Sequence, residues 1–576
     1  MSHLGRTWSV SLTGVHGELI EVEATIESGL PRVTLVGLPD AAVSEARDRC
    51  RAAVVNSERE WPNRKLTIGL YPANKPKTGT MHDLAIALAV LAADAEVPAA
   101  AIERAVVLGE LSLDGRLRPL PGILPATMAA ADAGFRTVIV PSANAAEAAV
   151  VGGIEVRGVR SLRHAIAALK GLPAPLETEV PYVPVSAAAW ATTRRVDDLD
   201  LDEVLGQAEA RHSLEVSAAG GHHLFLEGPP GAGKTMLAER LPGLLPDLSL
   251  GDALEVSAIH SVAGILDSGA PLSRRPPFLD PHHTVSPTAI VGGGGRVLRP
   301  GAMSLAHRGV LFLDEAPEFS VRTLEAMRQP LESGEVTICR AENSTTFPAR
   351  FQLVLAANPC PCGFDWGRRS RCECPPAARL RYRARISGPV RDRIDIYRSV
   401  NPPSRQHLRD DLAHVESTAV VAARVIAARE RQRFRYRGTR WTRNAEVPGT
   451  QLRKRWPVRN KAARALDDQL ADGRISARGA DRVLRLAWTL ADLGGRPAPD
   501  DTDVEMALSL RTSDTLPVHG AGGLVGRAHS GSPGGARRDD SRGPTSPVGR
   551  RKEPADARDQ HGDPAVEVTA DEGTPS

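Results

Sequence analysis

The chain has 576 residues, which exceeds what one hydrophobic core supports and predicts three or four domains. Hydrophobic residues make up 42% of it and the formal net charge is only +3, so the composition is globular and excludes a global field that attracts nucleic acid. Six cysteines exclude a disulfide scaffold, and the lack of a signal-peptide pattern or a stretch of roughly 18 apolar residues predicts a cytoplasmic protein without a membrane partner.

Hydrophobic periodicity divides the chain into five segments. Residues 1–170 mix short apolar runs with helical patterns, and residues 171–198 read as a proline-containing linker. Residues 199–403 read as a second α/β unit, residues 404–512 as helices, and residues 513–576 as a disordered tail, because they contain too few apolar residues to offset chain entropy. The predicted fold class is multidomain α/β. The elements predicted before residue 170 include strands at 33–38, 65–70 and 137–141 and a buried helix at 83–93.

A glycine-rich loop follows the strand predicted at residues 223–227 and precedes a helix. Its sequence GPPGAGKT has the pattern G-x-x-x-x-G-K-T in the context that a phosphate-binding loop requires. Backbone N–H groups of such a loop wrap phosphates, the lysine reaches the β- and γ-phosphates and the threonine hydroxyl binds Mg²⁺. The residues predicted to bind ATP here are Gly228, Pro229, Pro230, Gly231, Ala232, Gly233, Lys234 and Thr235.

Two acids follow an apolar strand about 80 residues after the loop, in GVLFLDEAPEF (309–319). Asp314 would hold Mg²⁺ through water, next to the Thr235 hydroxyl, and Glu315 would polarise the attacking water. Many strands end in acids, so this pattern gains its meaning from the loop. A further apolar strand, FQLVLAANP (351–359), ends in Asn358, which is predicted to be catalytic, and a turn formed by Asn-Pro is compatible with that role or with its absence.

The order of these motifs resembles an AAA+ ATPase, and the finer motifs resemble the Mg-chelatase-like family known as YifB or ComM. The resemblance extends over about residues 1–512. It implies a P-loop AAA+ α/β core followed by a helical lid. The most specific stretches are PHHTVSPTAIVGGG (281–294), AHRGVLFLDEAPEF (306–319), RQPLESGEVTICRA (328–341), NPCPCG (358–363) and ISGPVRDRID (386–395).

The resemblance also implies roles for single residues. Asn358 matches the residue that positions the lytic water. Arg393 matches an arginine finger that completes the neighbouring subunit's site, which implies a ring, a hexamer. Arg478 matches the sensor arginine of the lid, with Arg482 as the second candidate. For an arginine taken alone, the alternative is a surface salt bridge. Gly206 and Gln207 match the segment that packs against adenine.

Residues 1–170 resemble the Lon-protease-like domain that begins this family. KPKTGTMHDLAIALAVLA (75–92) matches the segment that carries the nucleophile of Lon, with Thr78-Gly79 near the serine position. Leu124-Pro125-Ala126 stands where the protease has its lysine. A Ser–Lys dyad requires the amine beside the hydroxyl, so we expect no peptidase activity. Nearby Arg64, Lys65, Lys75 and Lys77 are either phosphate contacts or a solvated loop.

Four of the six cysteines fall between residues 360 and 374. Two C-x-C pairs in one loop supply four soft ligands, and the surrounding arginines favour thiolates. Structural Zn²⁺ is the best single explanation, and four free thiols are the alternative. The predicted zinc ligands are Cys360, Cys362, Cys372 and Cys374.

Arginines alternate with aromatic residues over residues 428–464. This pattern is typical of single-stranded nucleic-acid binding, although a solvated linker between helices would look similar. Two functions remain open. The first is an ATP-driven ring motor on single-stranded or branched DNA, as the resemblance to ComM implies, and the second is a chelatase-like ATPase that remodels a protein partner. An ATP-dependent protease is disfavoured because the dyad is missing.

Overall fold

The structure is a computed structural model. It describes residues 3–38, 40–75, 77, 79–178, 180, 196, 198–267, 269–294, 298–339, 344–367, 370–412, 415–458, 461–473 and 475–512. The predicted tail at 513–576 and most of the predicted linker therefore lie outside the described residues. Residues 171–178, at the start of that linker, contain no helix or strand.

Strands of the first region, up to residue 178, form a seven-stranded sheet and a small hairpin. Its strands are β1 (His3–Thr13), β2 (His16–Glu27), β3 (Arg32–Val36), β4 (Lys65–Tyr71), β5 (Ala105–Val107), β6 (Glu110–Leu111), β7 (Leu117–Arg118), β8 (Thr137–Pro141) and β9 (Glu155–Val159). The sheet order is β3-β4-β2-β1-β5-β8-β9, and β6 pairs with β7. β1 and β2 form a long antiparallel pair, from His3 opposite Ile26 to Thr13 opposite His16.

The helix Asp83–Ala93 is buried at every position. Its sequence is almost entirely apolar, which is typical of a helix that is packed on all sides. It lies so close to β1 that a Cβ on Gly5 would stand 2.0 Å from the carbonyl oxygen of Ala89. The other α-helices of the first region are Ala41–Asn56, Ala99–Ile102, Ile123–Asp132, Ala145–Ala148 and Leu162–Leu169.

A five-stranded parallel sheet forms the centre of the second region. Its strands are β10 (Leu224–Glu227), β11 (Phe278–Leu279), β14 (Val310–Leu313), β17 (Gln352–Ala357) and β18 (Ile396–Ser399), and short pairs are formed by β12 (Gly292–Gly293) with β13 (Arg299–Pro300) and by β15 (Glu335–Cys339) with β16 (Ser344–Pro348). The order β11-β14-β17-β10-β18 places β17 between the strand before the loop and the strand before Asp314. β14 and β17 are buried at every residue, as parallel strands covered on both faces are.

Helices surround this sheet. They are Ala208–Gly220, Lys234–Leu244, Leu250–Ala263, Pro287–Val291, Ala302–Leu305, Val321–Ala326, Pro330–Ser333, Pro376–Ala384, Gly388–Arg391 and Arg405–Leu412. Single 3₁₀ turns occur at Ser142–Asn144, Leu201–Glu203, Ala316–Glu318 and Asn444–Glu446.

The C-terminal helices share a core with the second region. Val425, Val483 and Leu486 belong to the same buried cluster as Leu224 and Phe312 of the parallel sheet. The helices are Thr418–Arg435, Gly449–Arg455, Lys461–Ala471, Ala477–Leu493 and Asp501–Thr512. The predicted mixed α/β fold with a helical C-terminal part is confirmed. All described residues fall in one compact unit, and none of their helices has the length and apolar character that crossing a membrane requires.

Candidate nucleotide site

The glycine-rich loop lies between β10 and the helix Lys234–Leu244, at the carboxyl edge of the parallel sheet. Gly231 and Gly233 have φ values of +74° and +90°, which residues with a Cβ rarely adopt. A Cβ at either glycine would meet no atom within 4 Å, so open space lies beside the loop. This combination of a left-handed turn and a helix N-terminus is what phosphate binding requires.

Lys234 is buried beneath the loop and is held by three oxygen atoms. Its ammonium group donates to the carbonyls of Gly228 at 2.8 Å and Pro229 at 3.0 Å, and to Oδ1 of Asn358 at 3.1 Å. Burial lowers the pKa of Lys234, and the charges of Asp314 and Glu315 oppose that shift. Phosphate oxygens would replace neutral carbonyls as its acceptors.

Thr235 and Asp314 meet across the edge of the sheet. The Thr235 hydroxyl donates to Oδ2 of Asp314 over 2.6 Å. A hydroxyl and a carboxylate side by side are hard oxygen ligands of the kind that Mg²⁺ prefers. The two residues predicted to hold magnesium are therefore adjacent, and they fit this ion.

Glu315 has an unusual backbone and a partner that sequence reasoning missed. Its φ of +49° is in the left-handed region, and its N–H donates to Oδ1 of Asp314 at 2.8 Å. Its Oε2 lies 3.3 Å from Nδ1 of His283. The ring of His282 packs beside that of His283, with centroids 4.2 Å apart. In the sequence, the only signal for this contact is the His-His pair in PHHTVSP, a pattern that by itself indicates no partner.

Asn358 follows β17 and joins the site through Lys234. Its backbone N–H also bonds the hydroxyl of Tyr382, whose pKa burial raises to about 12. The Asn-Pro sequence is thus both the end of a strand and part of the site.

Gly206 and Gln207 link the loop to the segment after β18. The Gln207 amide donates to the carbonyls of Ala232 at 3.2 Å and Asn401 at 2.6 Å. Gly206 has a φ of +73°, and a Cβ there would stand 2.3 Å from Pro403. Gln207 therefore lies beside the loop, whereas Gly206 packs against the segment after β18.

Comparison with known proteins identifies three family matches along the chain. The model described as subunit ChlI of Mg-chelatase matches residues 22–144, magnesium chelatase subunit ChlI matches 200–408, and its C-terminal model matches 415–511. An uncharacterized protein of Mycobacterium tuberculosis H37Rv is 50% identical over 510 residues, covering 88% of this chain and 98% of the relative. The protein YifB of Escherichia coli is 42% identical over 506 residues (88% and 96%), and the competence protein ComM of Haemophilus influenzae is 38% identical over 493 residues (85% and 94%). This chain belongs to the magnesium-chelatase-like family that includes YifB and ComM.

The two arginines that the resemblance assigns to a finger and a lid sensor do not contact the phosphate-binding loop of their own chain; they are Arg393 and Arg478. Arg393 donates to the Pro389 carbonyl at 2.6 Å and pairs with Glu332 at the edge of a surface pocket. Arg478 is exposed, and within the described part of the chain its side chain has no hydrogen bond or ion pair. Neither residue contacts Lys234 or Glu315, so each predicted role depends on a partner or a movement.

Arg482, the second candidate for the lid sensor, is already paired. Its guanidinium bonds buried Asp395, which also accepts from the N–H of His223 at 3.1 Å. Burial opposes ionisation of Asp395, but Arg482, His222 and His223 hold its pKa well below the usual range. Arg482 therefore joins the lid helix Ala477–Leu493 to the start of β18.

The four cysteines predicted to bind zinc are brought together. The sulfur atoms of these residues all lie within 4.8 Å of one another, in Cys360, Cys362, Cys372 and Cys374. The Cys360 sulfur lies 3.3 Å from that of Cys362 and 3.5 Å from that of Cys372. Cys50 is buried in the first region, and Cys339 is exposed.

The arginine- and aromatic-rich stretch divides into buried and exposed parts. Arg435 pairs with buried Asp492 and lies 4.1 Å from the ring centroid of Trp488, while Tyr436 and Trp456 pack together with centroids 4.9 Å apart. These residues are part of the lid core, which corrects the interpretation of the whole stretch as a surface. Exposed residues remain: Arg433, Phe434, Arg437, Arg440, Lys454 and Arg455.

The first region shows no lysine at the predicted dyad position. Leu124 is fully buried, and its N–H donates to Glu147 at 2.9 Å. Thr78 lies outside the described residues. Three of the basic residues considered as phosphate contacts are ion-paired, Lys65 with Glu27, Lys75 with Glu18 and Arg64 with Asp94, and Lys77 is buried against backbone carbonyls. All three ion-paired side chains are about half exposed, and Lys65 is the first residue of β4 and not part of a loop.

Proposed function

We propose that the protein is a Mg²⁺-dependent ATPase that assembles into a hexameric ring and acts as a motor on single-stranded or branched DNA in the cytoplasm. The observation that carries the ATPase is the meeting of Lys234, Thr235, Asp314 and Asn358 at one edge of the parallel sheet. ATP and Mg²⁺ are the proposed cofactors of turnover. Zn²⁺ is proposed as a structural ion of the four-cysteine loop.

The proposed roles follow from the positions of the side chains. Lys234 exchanges its carbonyl acceptors for phosphate oxygens, which also frees Asn358 to orient water. Bound Mg²⁺ supplies positive charge to the phosphates. Glu315 accepts a proton from the attacking water, and Arg393 from a neighbouring subunit neutralises charge that develops on the γ-phosphoryl group.

Two findings support DNA as the substrate. The relative from Haemophilus influenzae is named a competence protein. Phe434 is 68% exposed, with the Arg437 guanidinium 4.6 Å from its ring centroid, and Arg440 lies 5.9 Å from the ring centroid of Trp441. A surface pocket beside them includes Thr439, Gln451 and Arg455. The exposed ring of Phe434 and the half-buried ring of Trp441 could stack on bases while the neighbouring cations contact phosphates.

The test is the ATP hydrolysis rate with and without single-stranded, forked and four-way DNA. We expect stimulation that weakens steeply with salt, because phosphate contacts release counterions. Replacing Arg433, Arg437 and Arg440 together with Ala should reduce both the affinity for DNA and the salt slope. Trp441→Ala should reduce affinity with little change in slope.

A matched control removes the same charge elsewhere. Arg51, Arg104 and Arg136 are exposed residues of the first region, and replacing all three with Ala should leave stimulation by DNA intact. Equal losses in the two triple variants would show that only net charge matters. Rates that stay flat with every DNA would contradict the motor and favour the second candidate, an ATPase that remodels a protein partner, which the chelatase subunit models support.

A further inference from the structure

The four-cysteine loop connects two parts of the nucleotide site. It begins directly after Asn358 and ends at the helix Pro376–Ala384. The Cys360 side chain is fully buried, although the loop itself lies near the surface. A buried thiol beside three others is an unusual use of four of this chain's six cysteines.

The sulfur geometry fits one metal ion. A tetrahedral zinc site with zinc–sulfur bonds of about 2.3 Å has sulfur–sulfur edges of about 3.8 Å. The observed separations of 3.3 Å and 3.5 Å, with all four sulfur atoms within 4.8 Å, bracket that edge. Four thiolates are also the soft ligand set that selects zinc over magnesium.

The same loop packs against the phosphate-binding loop. Gly363 has a φ of +81°, and a Cβ there would stand 2.6 Å from Cγ and Cδ of Pro230. Pro230 is within GPPGAGKT, so the cysteine loop forms part of the support of the phosphate-binding backbone. No side chain larger than hydrogen fits between the two loops without displacing one of them.

The loop is also tied to its following helix. Asp365 pairs with Arg379 at 3.0 Å, and Nε of Arg383 donates to the Pro359 carbonyl at 3.3 Å. Tyr382 of the same helix accepts the N–H of Asn358. These contacts place Asn358 between β17, the cysteine loop and this helix.

We propose that Cys360, Cys362, Cys372 and Cys374 bind one structural Zn²⁺ ion, and that the metal-loaded loop positions Pro230 and Asn358 for ATP turnover. Binding replaces the thiol protons by the metal and releases them to solvent. The metal site stands on the sulfur geometry alone, whereas the positioning role rests on the proposed ATPase.

The metal site is tested by elemental analysis of freshly purified, reduced protein. We expect about one zinc ion per chain, and its loss in the Cys360→Ser/Cys362→Ser variant. Cys339→Ser removes an exposed thiol outside the cluster and should keep the zinc. Protein refolded or grown with Co²⁺ should show the visible absorption of a tetrahedral cobalt thiolate. Absence of metal, or iron in place of zinc, in the wild-type protein overturns the assignment.

The positioning role is tested without touching a thiol. Gly363→Ala and Gly367→Ala place the same methyl group at left-handed positions, but only the first meets Pro230, since nothing lies within 4 Å of a Cβ at Gly367. A misplacement of about 1 Å in a site costs on the order of 100-fold in rate. We expect zinc in both variants, and turnover lowered at least tenfold in Gly363→Ala relative to Gly367→Ala.

Each failure has a distinct signature. Equal turnover in Gly363→Ala and Gly367→Ala, with wild-type protein active, overturns the positioning role. Wild-type protein that contains zinc but neither binds nor hydrolyses ATP overturns the proposed ATPase and with it the positioning role, and leaves the metal site standing. Binding of a fluorescent ATP analogue separates loss of nucleotide affinity from loss of turnover.

Discussion

Lys234 and Glu315 act at different stages of the proposed reaction, so their substitutions should produce different defects. Lys234→Ala removes the ammonium group that reaches the phosphates, and we expect nucleotide binding and turnover to be lost together. Glu315→Gln keeps the size of the side chain but cannot accept a proton. ATP should therefore still bind, while the rate of hydrolysis falls about 10²–10⁴-fold. Equilibrium binding and single-turnover assays measure the two steps separately.

Turnover in Glu315→Gln at the wild-type rate would mean that another group activates the water. Asp314→Asn provides a useful comparison, because Asp314 contacts the Thr235 hydroxyl and is proposed to hold Mg²⁺. Its defect should be relieved in part by higher Mg²⁺, whereas the Glu315→Gln defect should not.

His283 is predicted to position Glu315. Its Nδ1 lies 3.3 Å from the carboxylate, and its loss would let Glu315 rotate. We expect His283→Ala to lower kcat with little change in KM, and His283→Asn, which retains an N–H donor, to restore part of kcat. Steady-state kinetics of the two variants check this, and equal kcat in His283→Ala and wild type would contradict it.

The sequence predicts which side chains lie together where those residues are neighbours in the chain. GPPGAGKT places Lys234 and Thr235 within one turn, so the pattern predicts their neighbourhood directly. His283 is 32 positions from Glu315 and Arg482 is 87 from Asp395, and such contacts depend on chain crossings that periodicity does not specify. Arg435 looked like a surface cation because its partner, Asp492, is 57 residues away.

At the scale of elements, one buried ion pair holds the lid helix against the parallel sheet. Asp395 precedes β18, Arg482 belongs to the helix Ala477–Leu493, and their side chains are 2% and 14% exposed. Removing one member of a buried pair costs about 3–5 kcal/mol, since the other charge remains buried. Asp395→Asn should therefore lower the free energy of unfolding by about that amount, as measured with chemical denaturant.

Asp481→Asn is the matched control for this variant. Asp481 lies on the same helix and pairs with Arg453, but the two side chains are 27% and 35% exposed. Solvent screening limits such a pair to about 0–1 kcal/mol. If Asp395→Asn and Asp481→Asn lowered the free energy of unfolding equally, burial would not be the reason that the Asp395–Arg482 pair stabilises the fold.

The same pair predicts how stability depends on pH. The folded-state pKa of Asp395 is well below its ordinary value of 3.8, so its contribution is complete above pH 3.8 and is lost as the pH falls toward the folded-state pKa. Burial lowers the pKa of His223 from 6.5 to about 4. Because the unfolded chain binds a proton at this residue first, the free energy of unfolding falls as the pH drops from 6.5 to about 4, before Asp395 contributes any loss. Denaturant unfolding at a series of pH values measures this effect. Below pH 3.8, the free energy of unfolding should fall less in Asp395→Asn than in the wild-type protein.

Elements were predictable where their hydrophobic pattern was strong. The helix at 83–93 was predicted with its observed ends, because its apolar residues are continuous. The strand predicted at 33–38 is observed at Arg32–Val36, since the chain turns at Gly37, where φ is +116°. The core shared by the C-terminal helices and the parallel sheet was not predicted, because an apolar helix face does not specify which surface covers it.

At the scale of the whole molecule, the proposed ring predicts complementation. Arg393→Ala subunits keep their own loop, and Lys234→Ala subunits keep their finger. If Arg393 acts across an interface, a mixture contains interfaces that pair an intact loop with an intact finger. We expect the mixture to recover a measurable part of wild-type ATPase activity that neither variant has alone.

Mixing Arg393→Ala with the double variant Arg393→Ala/Lys234→Ala is the control, because no interface in that mixture has an intact finger. Recovery there would point to subunit stabilisation instead of a shared site. A first mixture as inactive as its components, with mixed oligomers verified by size and mass, would place Arg393 outside the neighbouring site.

Glu147 joins the first region to the second. Its buried carboxyl accepts the N–H of Leu124 and the hydroxyl of Ser261, and Gly122 donates to the Ser261 carbonyl at 3.1 Å. Ser261 belongs to the helix Leu250–Ala263, which follows the phosphate-binding helix in the chain. The position that matches the lysine of Lon therefore lies at a hydrogen-bonded contact between the two regions. If the proposed ATP turnover moves that helix, these hydrogen bonds would carry the movement to the first region, and Leu124→Lys would place a charge at this buried contact instead of creating a peptidase.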